Sequence, residues 1–139
     1  YPVMRLLPFQ YEPILLAALH EDIGAGDITT LLSVPEEATA TGILLAKAEG
    51  VIAGIEIACR TFTLLDSTVQ IDIKVEDGTP ITPGTVLADL SGSAHSLLTA
   101  ERVALNVLQR MSGTATLTRK FVELVGDTEA RIVDTRKTT

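Results

Sequence analysis

The sequence predicts an α+β fold, in which helices at both ends of the chain enclose a strand-rich middle. Apolar residues recur at helical spacing over residues 11–21 and again over residues 95–111, which is typical of amphipathic helices. Between them, residues 69–76 alternate apolar and polar side chains, the period-two pattern of a strand with one wet face. Glycine and proline turns separate further short apolar runs, so we expect antiparallel strands in the middle of the chain.

The first predicted helix is stopped by Gly24 and Gly26, within the segment "EDIGAGDITT". Two glycines among aspartates and threonines favour a tight loop with side-chain caps. The segment lacks both the alternating oxygen ligands of a calcium loop and the glycine and lysine spacing of a phosphate-binding loop. We therefore interpret it as a structural turn.

Strands and one short helix are predicted for the middle of the chain. "TATGILLAKAEGVIAG" is typical of two strands joined by a Glu-Gly turn, and residues 55–65 then form a short helix with Cys59 in the core. "TVQIDIKVEDG" is a strand. "EDGTPITPGTVLADLSG" adds a turn and two more strands, which we expect to form a compact antiparallel unit.

The helix predicted over residues 95–111 has so broad an apolar face that little of it is left for solvent. Arg102 is therefore expected to be buried and to need a partner. Ser112 and Gly113 are expected to break or bend the helix before a further helix, which Gly126 closes. "ARIVD" then predicts a short strand that opens a β–α unit of a parallel sheet.

Composition and charge exclude several classes of protein. With 46% hydrophobic residues and a single cysteine among 139 residues, the chain is globular, has no internal disulfide and is expected to be cytoplasmic. No apolar run approaches the length of a membrane span. The net charge of −7 argues against nucleic-acid binding, and His20 and His95 are too isolated for a zinc site.

The charge is unevenly distributed along the chain. Residues 1–100 hold 4 basic and 13 acidic residues, a balance of −9, whereas residues 101–139 hold 7 and 5, a balance of +2. Arg102, Arg136 and Lys137 are the cations that could bind an anion, because loops at the carboxyl ends of parallel strands converge on ligands. An exposed Arg-Lys pair is also common at a solvated strand end, so the charge pattern leaves both readings open. Neighbouring hydroxyl donors are Thr135, Thr138 and Thr139.

Three segments occur in order along the chain: "EDIGAGDITT", "LLTAERVALNVLQRMSGTATLT" and "ARIVDTRKTT". Together they resemble the N-terminal part of the quinolinate phosphoribosyltransferases, the decarboxylating nicotinate-nucleotide pyrophosphorylases of NAD biosynthesis. The resemblance covers essentially the whole chain. It implies an N-terminal α/β sandwich domain with its connecting helix over residues 1–112. Residues 113–139 would begin a C-terminal α/β barrel, of which only the first strand is included.

The resemblance also implies an activity. Members of this family of pentosyltransferases transfer the phosphoribosyl group of phosphoribosyl pyrophosphate to quinolinate, with Mg²⁺, and release pyrophosphate and CO₂. Arg102 matches the family's substrate-binding arginine, contributed across a homodimer interface, and Thr135, Arg136, Lys137 and Thr138 match its "TRK" segment and the residue after it. The Mg²⁺ ligands are expected from the substrate or from the missing part of the barrel. We therefore expect these 139 residues to be inactive alone.

Two other functions are compatible with the sequence. A paralogue with the same fold could use another pyridine or a nucleobase as acceptor, since a few substitutions around the pocket would change the substrate. A carrier-like or dimerisation module is suggested by the hairpin pattern of "EDGTPITPGTVLADLSG", but a carrier needs a lysine at an exposed hairpin tip. Lys74 lies within a predicted strand and Lys47 beside a Glu-Gly turn, so neither is in a carrier-like motif.

Overall fold

A computed structural model describes residues 6–24 and 26–135 of the chain. Within this part the α+β class predicted from the sequence is confirmed. The helices are α1 (Pro8–Ile23), α2 (Ile28–Ser33), α3 (Ile55–Leu65) and α4 (Ala94–Leu124). The strands are β1 (Thr39–Leu45), β2 (Gly50–Val51), β3 (Gln70–Ile73), β4 (Pro80–Ile81) and β5 (Val86–Ser93).

The strands form two antiparallel sheets. β5 lies at the centre of the larger sheet, between β1 and β3, and β2 pairs with β4 in a separate two-stranded sheet. The prediction that β4 and β5 form one antiparallel unit is therefore wrong. β5 pairs with β1, and β4 pairs with β2. The predicted hairpin strands β4 and β5 therefore pair with the two preceding strands instead of with each other. Backbone hydrogen bonds between Ala46 and the turn at Gly84 and Thr85 continue the pairing of β1 with β5.

Helices α3 and α4 cover one face of the larger sheet and enclose the core. Small residues at the contacts allow close packing: Ala58 and Ala100 are completely buried, and Phe62 fills the space between the helices and the sheet at 1% exposure. The predicted core position of Cys59 is confirmed, since it is 4% exposed. Burial, together with the nearby Glu56 carboxylate, raises the pKa of the Cys59 thiol to about 11.

Helix α4 runs continuously for 31 residues, so of the two predicted effects of Ser112 and Gly113, a break or a bend, the break is wrong. A glycine in a helix costs only about 1 kcal/mol, and here neighbouring hydroxyls compensate. The Ser112 hydroxyl accepts a hydrogen bond from the Ala53 amide at 3.1 Å, and the Thr116 hydroxyl accepts one from the Val51 amide at 2.9 Å. These contacts fix the middle of α4 against β2 and the start of α3. Despite the length of α4, no helix in the described residues combines the length and apolarity needed to cross a membrane.

The predicted strand over residues 130–134 is not formed. Residues 125–129 form turns and bends after α4, and residues 130–135 have no regular secondary structure. A lone strand is unstable without hydrogen-bonded neighbours, and the described residues offer it none. Large apolar side chains on the last turns of α4 are exposed as well: Leu117, Phe121 and Leu124.

Candidate functional site

The first of the predicted site residues along the chain is Arg102, on the first half of α4. Its side chain is 80% exposed, and its Nη1 atom donates a hydrogen bond to Oδ1 of Asp22 at a distance of 2.9 Å. The prediction that Arg102 has a partner is therefore confirmed, whereas the prediction that it is buried is wrong. The apolar face of α4 is not covered here: Leu98, one turn before Arg102, is 47% exposed.

Asp22 lies in the last turn of α1, at the beginning of the "EDIGAGDITT" segment. Gly24 ends the helix with a positive φ of 51°, which favours glycine, and the chain then continues into α2. The sequence predicts only a structural turn here and gives no indication of α2. The first turn of α2 is capped by Asp27, whose carboxylate accepts hydrogen bonds from the hydroxyl and the amide of Thr30.

The electrostatic surroundings of Arg102 include a second carboxylate and an imidazole. The hydrogen bonds from Thr30 lower the pKa of Asp27, and the positive charges of Arg102 and His95 lower it further. His95 bonds through Nε2 to the Val34 carbonyl oxygen at 2.8 Å; because a carbonyl oxygen only accepts, Nε2 carries the proton.

His95 and Arg102 are seven residues apart and therefore lie on the same face of α4. His95 holds the chain just after α2, whereas Arg102 holds the end of α1. The whole segment between residues 22 and 34 is thus attached to α4 at both ends.

Exposed apolar side chains occur on α2 and on the first half of α4. Helix α2 has only six residues, yet Ile28, Leu31 and Leu32 are all more than 60% exposed. Leu98 of α4 is 47% exposed, one turn before Arg102, and α2 packs against α4. Exposed apolar surface of this kind, rimmed by polar groups, is typical of an interaction site.

The other predicted site residues are only partly within the described chain. Thr135 lies in the irregular segment after α4 and is exposed. Arg136, Lys137 and Thr138 lie outside the described residues. Of the five residues predicted to bind substrate, the structure therefore locates Arg102 and Thr135.

The structure offers no metal site among the residues that it describes, because no three His, Cys, Asp or Glu side chains come together there. Asp72 and Asp89 lie opposite each other on β3 and β5, but Lys74 pairs with both of them. The predicted Mg²⁺ thus remains a prediction, with its ligands expected from the substrate or from outside the described residues. The position of Lys74 also argues against the carrier hypothesis. Lys74 follows β3 directly, and its amide donates a hydrogen bond to the carbonyl oxygen of Leu87 on β5, so it does not lie at a hairpin tip.

Comparison with known proteins shows the family to which this chain is related. The sequence profile described as the N-terminal domain of quinolinate phosphoribosyl transferase matches residues 27–112. The chain belongs to this family. Within the quinolinate phosphoribosyl transferase family, the probable nicotinate-nucleotide pyrophosphorylase [carboxylating] of Bacillus subtilis is 45% identical over 130 residues, covering 94% of this chain and 45% of that protein. The protein of the same name from Synechocystis is 44% identical over 129 residues, covering 92% of this chain and 43% of that protein.

Solved structures of the family agree with the fold. NadC from Streptococcus pyogenes superposes with a TM-score of 0.93 at 42% identity, covering 98% of this chain and 48% of that one. The nicotinate-nucleotide pyrophosphorylase from Francisella tularensis gives a TM-score of 0.88 at 33% identity and covers 96% of this chain and 48% of that one. The chain thus spans less than half the length of these relatives.

Sequence reasoning missed Asp22 as the partner of Arg102. The two residues are 80 positions apart, and no periodic pattern connects them. The available signal was the "EDIGAGDITT" segment, in which a carboxylate stands immediately before the turn that ends α1. Because carboxylates often cap such turns, the sequence does not show that Asp22 also pairs with Arg102.

Proposed function

We propose that the complete protein transfers the phosphoribosyl group of phosphoribosyl pyrophosphate to the ring nitrogen of quinolinate and releases pyrophosphate and CO₂, giving nicotinate mononucleotide. Membership of the family supports this proposal, as do the names of relatives. A quinolinate phosphoribosyltransferase [decarboxylating] from Nicotiana tabacum is 36% identical over 131 residues. Because the chain covers only 37% of that protein, the activity is proposed for a longer polypeptide to which these residues contribute.

The observation that best supports the proposal is the exposure of Arg102 and its single hydrogen bond among the described residues. Its side chain is 80% exposed, and among the described residues only Asp22 receives a hydrogen bond from it. A guanidinium has five N–H donors in a planar fork that matches the two oxygens of a carboxylate. Arg102 can therefore bind a carboxylate without giving up its contact with Asp22. Quinolinate, a dicarboxylate, is a substrate of the right chemistry.

The contribution of this contact would be orientation. A guanidinium that holds a substrate carboxylate limits the ring to a few positions, so that the ring nitrogen can face the ribose carbon it attacks. After the nitrogen is alkylated, CO₂ leaves and its bonding electron pair stays on the adjacent ring carbon, where the positive charge of the nitrogen stabilises it. That carbon then takes a proton from water to give nicotinate mononucleotide. Thr135, Arg136, Lys137 and Thr138 are proposed to bind further anionic groups of the substrates. When bound, Mg²⁺ would stabilise the negative charge on the departing pyrophosphate.

We also propose a homodimer in which Arg102 completes the site of the partner subunit. Arg102 lies 22 residues before the end of α4, a distance of about 33 Å along a helix axis. Arg102 lies in the first third of α4, whereas Arg136 and Lys137 follow the C-terminal end of this helix in the sequence, an order that favours a site built from two subunits. The exposed apolar side chains of α2, together with Leu98 one turn before Arg102, support the same conclusion.

Replacing Arg102 by alanine in the longer protein tests the substrate contact. Loss of a charge-assisted hydrogen bond should lower kcat/KM for quinolinate by about 10- to 100-fold, mainly through KM. Arg119→Ala is the matched control, since it removes the same charge from an exposed position further along α4 and should leave both constants unchanged. Steady-state kinetics with quinolinate and with nicotinate as acceptors provide the measurement. Unchanged constants in Arg102→Ala, or turnover of nicotinate alone, would contradict the proposal.

Subunit mixing tests the shared site. At quinolinate concentrations well below KM, Arg102→Ala and Lys137→Ala homodimers should each have little activity, because every site lacks one cation. A mixed dimer carries one site without either change, so random reassociation of equal amounts should restore about a quarter of the wild-type activity. No recovery after verified subunit exchange would place both cations in the same subunit's site.

A further inference from the structure

We infer that Asp22 is a positioning residue for Arg102: it holds the guanidinium in the orientation that binds the substrate carboxylate. This inference rests on the proposed function, since it assumes that Arg102 contacts the substrate. It adds a role for the "EDIGAGDITT" segment, which the sequence pattern explains only as a turn.

The two members of the ion pair differ in their exposure. The Asp22 side chain is 22% exposed and the Arg102 side chain 80% exposed. The acceptor is thus enclosed by protein, while most of the arginine projects into solvent, where its long side chain would otherwise sample many rotamers. The single hydrogen bond between Nη1 and Oδ1 removes much of this freedom. It leaves the remaining donors for a ligand.

Asp22 is itself held in place by the packing of α1. Leu15 and Leu19 of this helix are 2% and 4% exposed, so α1 is anchored at the turns just before Asp22. Beyond it, the Gly24 amide bonds to the His20 carbonyl oxygen at 3.1 Å and closes the helix. The carboxylate therefore stands on a rigid element, which is what a positioning residue requires.

Asp22 could also weaken the binding of the substrate carboxylate to Arg102. Its negative charge competes with a substrate carboxylate for the same guanidinium, and so does the more distant charge of Asp27, which interacts with Arg102 and His95. Water screens charges strongly at a position as exposed as that of Arg102, which weakens this repulsion. The orientation of the side chain does not depend on screening to the same degree. We therefore expect the positioning effect to exceed the repulsion.

A double-mutant cycle in the longer protein tests this role. Asp22→Ala should raise KM for quinolinate by about 3- to 10-fold, with KM for phosphoribosyl pyrophosphate unchanged. In an Arg102→Ala background the same change should have no further effect, because the residue that Asp22 positions is gone. Asp22→Asn retains an acceptor oxygen in the same volume and should give an intermediate KM. Glu21→Ala removes the adjacent exposed carboxylate and should behave as wild type.

The outcomes separate this inference from the proposed function. If Arg102→Ala leaves KM for quinolinate unchanged, the proposed substrate contact is wrong. If Arg102→Ala raises KM but Asp22→Ala and Asp22→Asn do not, the positioning role is wrong while the substrate contact stands. A lower KM in either Asp22 variant, or effects that multiply in the double variant, would also overturn the role. Should Asp22→Ala fail to fold, as judged by circular dichroism, the isosteric Asp22→Asn decides.

Discussion

Replacing Gly54 by alanine should lower the free energy of unfolding by about 2–4 kcal/mol. Gly54 precedes α3 with a φ of 83°, in the left-handed region where an alanine costs about 1 kcal/mol. A Cβ atom at this position would also overlap Sδ of Met111 on α4 and lie 2.9 Å from its Cε. Such overpacking adds about 1–3 kcal/mol, even though a methionine can partly adapt. The contact thus makes Gly54 a point where α3 and α4 approach closely.

Gly78→Ala separates the two contributions. Gly78 has a similar φ of 90°, but a Cβ atom there would meet nothing within 4 Å beyond its chain neighbours, so only the backbone cost of about 1 kcal/mol should remain. Urea unfolding of both variants, followed by far-ultraviolet circular dichroism, measures the difference. Combining Gly54→Ala with Met111→Ala should cost less than the sum of the single changes, because the clash is removed. Equal losses in Gly54→Ala and Gly78→Ala would refute the close approach.

Two further predictions concern titratable groups. Cys59 is buried and the pKa of its thiol is raised to about 11. It should therefore react with iodoacetamide at mildly alkaline pH only as fast as the native structure opens. Rapid stoichiometric labelling would contradict this prediction. A hydrogen bond from the hydroxyl of Thr68 lowers the pKa of Asp66 in the folded protein below its unfolded value, near 3.8. The stabilisation from Asp66 is therefore complete above the unfolded pKa and is lost as the pH falls through the folded pKa. Thermal unfolding should therefore show that Asp66→Asn is less stable than wild type at neutral pH and that the gap narrows in acid; a gap independent of pH would contradict the prediction.

Elements with a complete local pattern could be predicted from the sequence. The predicted helix over residues 55–65 coincides with α3, because its apolar spacing, the glycine before it and the polar residues after it agree. The alternating segment around β3 is predictable for the same reason, and so is the core position of Cys59. Each of these features depends on neighbours within one or two turns of the chain.

Features that depend on distant contacts could not be predicted in this way. Gly113 has the local pattern of a helix breaker, yet Ser112 and Thr116 bond to backbone groups about 60 residues away and hold the helix across it. Helix α2 is too short for a periodic pattern and forms because Asp27 caps it. The exposure of Arg102 could not be foreseen because an apolar helix face does not show which of its parts are covered.

The continuity of α4 bears on how the two predicted parts of the chain work together. The expected domain boundary at residues 112 and 113 falls within an uninterrupted helix, whose middle is fixed to β2 and α3 by the Ser112 and Thr116 hydroxyls. Along this continuous helix, Arg102 and the segment that begins after Leu124 are about 33 Å apart at their helical attachment points. That spacing is too large for one ligand of the size of quinolinate. It would suit the proposed homodimer, in which the α4 helix of each subunit would present Arg102 to Arg136 and Lys137 of the other. On this reasoning, the length of α4 would set the geometry of the proposed shared site.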